Sequence, residues 1–188
     1  MVRSLNAVEL LAIMAAGLLG SLMLVDGGIS DSWFSVAVMF VTAMAIWIAV
    51  RDFRDFIIPD GPLIALAMTG ALMRLAGTPD PWPIELAFLL LDAVACGGVF
   101  LVIREVFFHL RGHDGMGFGD VKLAAASGIL LGYEGFAWSV FSASALGLIF
   151  AIGLTTIRPD QRMDRLPFGA LLAPACWSIW VLKMSGVI

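Results

Sequence analysis

Long apolar runs follow one another along almost the whole of this chain, with only short charged connections between them, and that succession leaves few folds open. The runs can be marked at about Val8 to Val25, Trp33 to Val50, Pro62 to Ala76, Ile84 to Ile103, Val121 to Leu131, Phe136 to Ile157 and Pro167 to Val187. A straight membrane-spanning helix takes roughly 20 apolar residues, and several of these runs reach or approach that length. With 61% hydrophobic and 14% charged residues and a mean hydropathy of +0.98, the chain lies outside the range of a water-soluble domain. The expected architecture is all-α, a polytopic membrane helix bundle of about six or seven transmembrane segments. The third and fifth runs are short for a straight span and are expected to be tilted, buried or re-entrant.

Residues 1–188 are read as a single membrane domain, since the longest connection, about Arg104 to Gly119, is too short to fold alone. The first run has only Arg3 ahead of it and no small-residue cleavage pattern before Asp26. It is read as a retained helix rather than a signal peptide. Cys96 and Cys176 both fall inside apolar runs, where they serve packing rather than a disulfide framework or a four-cysteine zinc site.

Charge orients the chain. With the N-terminus in the cytoplasm, Arg3, Arg51, Arg54, Arg104, Arg111, Lys122, Arg158, Arg162 and Arg165 fall inside, and only Arg74 and Lys183 outside. The positive-inside rule favours that arrangement, and Trp33 and Trp82 then sit at the outer interface.

The same orientation puts two acid-bearing loops, Arg51 to Asp60 and His113 to Asp120, on one face. Asp52 closes the second run and Asp120 opens the fifth, so two carboxylates can meet near the membrane surface. Close approach and partial desolvation would raise one pKa and leave the pair sharing a proton. One carboxylate then serves as base and the other as acid, the arrangement by which an aspartic protease activates water. Taken singly, an acid at a helix end is more often a solvated boundary residue. Asp55 is the chief rival to Asp52, being on the same loop.

The residues around these acids carry a resemblance. Asp52-Phe53-Arg54-Asp55-Phe56-Ile57-Ile58-Pro59-Asp60 resembles the first catalytic segment of type IV prepilin peptidases, an Asp followed seven residues later by Pro and then Asn or Asp. Gly117-Phe118-Gly119-Asp120-Val121-Lys122-Leu123 matches their second, the Gly-x-Gly-Asp-x-Lys motif of the wider Gly-x-Gly-Asp intramembrane aspartyl proteases. Leu166-Pro167-Phe168-Gly169 is similar to the Pro-Phe-Gly element near that family's C-terminus.

The resemblance implies an aspartyl endopeptidase, its peptidase region about residues 50–170, with Asp52 and Asp120 as the catalytic pair. It implies a type IV prepilin or pseudopilin as substrate, cut at its short basic leader on the cytoplasmic face of the inner membrane, and no cofactor, metal or nucleic acid. Gly117, Gly119, Lys122, Pro59, Asp60, Pro167, Phe168 and Gly169 become substrate-binding or loop-shaping residues. Asp60 is expected to cap the helix after Pro59, which stops the preceding hydrogen-bond ladder. Lys122 is expected either to bias the shared proton or to reach for lipid headgroups. The cytoplasmic acids Asp55, Asp114, Asp160 and Asp164 would attract a basic leader, offset by neighbouring arginines.

Larger members of that family carry paired Cys-x-x-Cys motifs in a cytoplasmic domain and also methylate the new N-terminus. This chain has neither that domain nor those cysteines, so it looks like the short form associated with Flp-type tight-adherence pili, which puts methyltransferase activity in doubt. Four other readings are weaker. A preflagellin peptidase is less close in its extended motif. Presenilin-like proteases require a Tyr-Asp pair, whereas Tyr133 here precedes Glu134. A catalytically silent pilus-assembly scaffold would not need both acids. A transporter would show a repeat in its two halves.

Two further features are assigned outside the reaction. Asp92 lies within the fourth run, where an ionised carboxylate cannot face lipid without a cost of several kcal/mol, and a structural hydrogen bond is expected for it. His109 and His113, four apart and beside Asp114, suggest a metal, but Gly112 weakens a helix there and no third ligand follows.

Overall fold

The computed structural model describes residues 32–112, 116–157 and 167–185, and all regular secondary structure among them is helical. Five helices follow in order: α1 (Ser32–Asp55), α2 (Asp60–Gly77), α3 (Trp82–Arg111), α4 (Phe118–Ile157) and α5 (Phe168–Met184). Three stretches, Ser35–Asp55, Trp82–Arg111 and Phe118–Gly153, are long and apolar enough to cross a membrane, and α5 is apolar but shorter. The second to sixth apolar runs return as helix, and the seventh does so from Phe168 to Met184. The first lies outside the described residues.

α4 is broken at Gly132, whose φ of 76° and ψ of 168° fall in a region essentially reserved for glycine. Ser127 and Ser139, on opposite sides of the break, both face Cys176 of α5. On a straight helix they would stand about 18 Å apart. The chain therefore folds back at Gly132, and the short helix 118–131 lies beside its continuation, 133–157. The fifth and sixth runs are joined by this single break.

A helix that ends inside a bundle leaves its last carbonyls without partners. Two cations reach them here: Arg74 Nη1 is 3.5 Å from Ile129 O and Lys183 Nζ is 2.9 Å from Leu131 O. Positive charge at a helix C-terminus also meets the dipole favourably. Arg74 in turn holds Asp92 Oδ2 at 2.6 Å and Glu85 Oε1 at 2.8 Å, while Tyr133 N–H donates to Asp92 Oδ1 at 3.2 Å. Asp92 thus makes the structural bonds expected of it, tying α2, α3 and both parts of α4 together.

One boundary differs from expectation. α3 runs past Ile103 to Arg111, so the connection is 112–117 rather than Arg104 to Gly119. Val106, Phe107 and Phe108 continue the apolar pattern. The helix stops only where Gly112 turns left-handed at φ 71° and its N–H bonds Phe108 O at 2.8 Å, a common helix ending.

Fully buried Leu123, Leu130 and Leu131 of α4, Leu172 and Trp180 of α5 and Val41 and Ile48 of α1 form the centre of the core. Large apolar side chains such as Leu91, Val94, Leu110 and Ile149 point outward, as lipid-facing helices require. Cys96 and Cys176 are buried free thiols. The C-termini of α1 and α3 and the N-termini of α2, α4 and α5 gather at one end. Arg74 and Lys183 stand towards the other.

Candidate active site

The gathered end holds the two acids. Asp52, on the last turn of α1, is 6% exposed. Its Oδ2 accepts the Ala170 N–H at 2.7 Å, with the Gly169 N–H also directed at it. α5 begins after Pro167 with no side-chain cap of its own, so the carboxylate from α1 satisfies donors that a local N-cap would otherwise take. Asp55 is turned away, exposed and paired with Arg51 at 2.7 Å. Of the two rivals, only Asp52 faces the bundle.

Asp120 sits in the first turn of α4, its N–H bonded to Gly117 O at 3.2 Å. Its Oδ1 is buried and has no hydrogen-bond partner among the described residues, an uncommon state for a carboxylate oxygen. Asp120 also lies close enough to Asp52 for their charges to interact. The structure therefore brings together acids 68 positions apart in sequence.

The glycines owe their identity to close approach. A β-carbon on Gly169 would stand 2.8 Å from Ile58 Cδ1 and 3.0 Å from Asp52 Oδ2, and one on Gly119 would stand 3.1 Å from Ile58 Cβ. All three motif segments thus meet at Ile58, which the sequence reading passed over. The only local signal is its place before Pro59, which biases it to extended backbone. Phe168 packs its ring 6.2 Å from that of Phe100, itself 5.5 Å from Phe136, and anchors the start of α5. Gly117 is exposed at the mouth of the loop.

Two expected roles are corrected. Asp60 does not cap α2: Pro59 occupies the N-cap position and no side-chain cap bond forms. Asp60 lies in the first turn, where its Oδ1 accepts from Lys122 Nζ at 2.7 Å. Lys122 is therefore paired with Asp60 and stands 5.6 Å from the centre of the Phe118 ring, rather than reaching the acid pair. A carboxylate in the first turn still meets the helix dipole favourably, so the spacing that suggested a cap instead joins two motif segments.

His109 Nδ1 lies 2.8 Å from Glu105 O. Among the described residues no three His, Cys, Asp or Glu side chains cluster as a metal site would need. His113, Asp114, Asp160 and Asp164 lie outside those residues.

Residues 39–152 match the type IV leader peptidase family. The chain belongs to that family. It is 31% identical over 149 residues to a prepilin leader peptidase/N-methyltransferase of Aeromonas salmonicida, covering 79% of this chain and 50% of that one. It is 30% identical over 154 residues to a protein of the same name from Neisseria gonorrhoeae, covering 82% and 51%. A Burkholderia pseudomallei relative of that name is 34% identical over 142 residues, covering 74% and 44%. The chain spans about half the length of these curated relatives. No solved structure matches it. The leader peptidase match includes Asp52 and Asp120, whereas Pro167, Phe168 and Gly169 lie beyond it. With its apolar helices, this family member is an integral membrane protein.

Proposed function

We propose that this chain is an aspartyl endopeptidase that removes the basic leader of type IV prepilins or pseudopilins, with Asp52 and Asp120 as its catalytic pair. One observation carries the reading: two carboxylates from separate segments come together where helix ends gather, one held by backbone N–H groups and the other with a buried oxygen unpaired by protein. Hydrogen bonds from N–H groups favour a charged carboxylate, and Asp52 receives two, from Ala170 and Gly169, against one at Asp120, from Gly117, so Asp52 is assigned as the ionised member and Asp120 as the holder of the shared proton.

In the reaction Asp52 takes a proton from water as its oxygen adds to the scissile carbonyl carbon, while Asp120 protonates the carbonyl oxygen. The tetrahedral diol then collapses, returning one proton to Asp120. The C–N bond breaks and the leaving amine takes the proton held by Asp52. Both carboxyls end as they began. Water is the nucleophile, and no side chain forms a covalent bond to the substrate. Gly117, exposed at the mouth of the loop, leaves room for substrate backbone beside Asp120, Gly119 and Gly169 let Ile58 pack against them, and Pro167 and Phe168 fix the N–H donors that hold Asp52.

The acid end is assigned to the cytoplasm and the bilayer to the inner membrane. Arg51, Arg54, Arg104, Arg111 and Lys122 lie near the acids, while Arg74 and Lys183 lie towards the opposite end, which supports that orientation. The test is cleavage of a leader-bearing prepilin by the protein in proteoliposomes, comparing wild type with Asp52→Asn, Asp55→Asn and Asp120→Asn. Loss of about 10³-fold or more is expected for Asp52 and Asp120, with little change for Asp55. Full activity in Asp120→Asn would end the aspartyl reading.

A further inference from the structure

The residue at which the three segments meet belongs to none of the recognised motif positions. Ile58 is partly buried and packs against the core. Its branch point lies towards Gly119, where an added β-carbon would be 3.1 Å from Cβ and 3.3 Å from Cγ1. Its far end lies towards Gly169, where one would be 2.8 Å from Cδ1. Asp120 follows Gly119 directly, and Asp52 Oδ2 lies against Gly169. One apolar side chain is therefore wedged between Gly119, which precedes Asp120, and Gly169, against which Asp52 rests.

The backbone goes out of its way to put it there. α1 ends with Phe56 N–H bonded to Asp52 O at 2.9 Å, and Phe56 itself is left-handed at φ 53°. It is the one residue other than glycine with positive φ among the described residues. At the equivalent point α3 uses Gly112, without a steric penalty. Strain of this kind collects where geometry matters for function. The turn it makes carries Ile58 back beside Asp52.

We propose that Ile58 is a positioning residue that sets the separation of Asp52 and Asp120 and so governs how strongly they share a proton. The inference rests on the aspartyl reading above. Coupled carboxylates titrate as a pair, and the interval between their two apparent values tracks their interaction. At an effective dielectric of about 20, moving the charges from 4 to 5 Å apart changes that interval by about half a pH unit. Of the charged groups at this end, Lys122 is paired with Asp60, Arg51 with Asp55 and Arg104 with Glu105, while Arg54 and Arg111 close α1 and α3 at the same end.

The experiment is kcat and KM for leader cleavage against pH, in proteoliposomes, for wild type, Ile58→Val, Ile58→Ala, Gly119→Ala and the Gly119→Ala/Ile58→Ala double variant. Ile58→Ala should lower kcat roughly 10- to 100-fold with KM within about threefold, and change the interval between the two pH limbs by about half a unit or more. Ile58→Val, which loses only the Cδ1 that meets Gly169, should fall between. The double variant should be more active than Gly119→Ala alone, because Ile58→Ala removes Cγ1 and Cδ1, two of the three atoms the new methyl crowds, and leaves only Cβ. Unmoved pH limbs, a change in KM only, or a double variant no better than the single would each overturn the inference. Those outcomes leave Asp52→Asn and Asp120→Asn inactive. Cleavage surviving in Asp120→Asn instead removes the aspartyl reading itself.

Discussion

The two ends of this bundle use the same side chain in opposite ways. At the end where α4 folds back, Asp92 is 6% exposed and both its oxygens are matched, one by Arg74 and one by the Tyr133 N–H. At the gathered end Asp52 is just as buried and Asp120 partly so, yet Asp120 Oδ1 is itself buried and has no partner among the described residues. Burial alone does not distinguish them. A buried carboxylate whose hydrogen-bonding capacity is filled has been spent on structure, whereas one left unfilled is available to a reacting molecule.

The sharpest way to break that comparison is to neutralise one acid from each end. Asp120→Asn should abolish leader cleavage, by at least about 10³-fold, while leaving thermal stability within about 1 kcal/mol of wild type, since Oδ1 has no partner to lose and an amide oxygen can still accept from the Gly117 N–H. Asp92→Asn should do the reverse, unfolding earlier in a detergent melt but cleaving once folded. A stable Asp92→Asn protein beside an unfolded Asp120→Asn protein would invert the assignment.

Arg74 gives the next largest effect. Replacing it by Gln leaves Glu85 and Asp92 facing each other without their shared cation and uncaps Ile129. Breaking a buried ion pair by removing one partner costs about 3–5 kcal/mol, and Arg74 is only 21% exposed at its side chain. Chemical or thermal denaturation in lipid nanodiscs measures it. A cost below about 1 kcal/mol would mean that the network is decoration on a bundle held by packing. Lys in place of Arg should recover only part, as one ammonium cannot serve both carboxylates with the guanidinium's geometry.

Gly132→Ala is a smaller disturbance at the same end. There is room for the methyl, whose nearest neighbour would be Asp92 Oδ2 at 3.6 Å, so the penalty is conformational alone. About 1–3 kcal/mol is expected for a residue held in that backbone region, read as a lowered melting temperature. No change would show that α4 can run on through residue 132 without folding back.

These contrasts also mark what could be read before the structure. The helices were legible because apolar runs of near-spanning length leave few alternatives, and the break appeared as the gap between Leu131 and Phe136. Asp52 and Asp120 were legible as a pair because each sits in a recognisable motif at a helix end. Their partners were not. The Asp52 bond to Ala170 joins residues 118 apart and the Arg74 contact with Ile129 joins residues 55 apart, separations over which periodicity carries no information. Ile58 was invisible for a different reason: an isoleucine before a proline looks like any other, and its importance lies in two glycines elsewhere that need it. The end of α3 was misplaced because Arg104 and Glu105 looked like a boundary, while the helix kept its pattern through Phe108.

The smallest effect separates the two lysines, one at each end. Lys183 is bound to a helix carbonyl within the bundle, whereas Lys122 holds Asp60 with side chains 43% and 63% exposed. Exposed pairs contribute about 0.2–1 kcal/mol and are screened by salt. Lys122→Met keeps most of the packing against Phe118 and removes only the charge. It should lower stability by less than about 1 kcal/mol, with the difference shrinking between 20 mM and 500 mM salt. Because Lys122 is committed to Asp60, the pH limbs of kcat should stay where they are in wild type. A shifted limb would show that its charge reaches the acid pair after all, and would make Lys122 part of the chemistry instead of a tie between two of its segments.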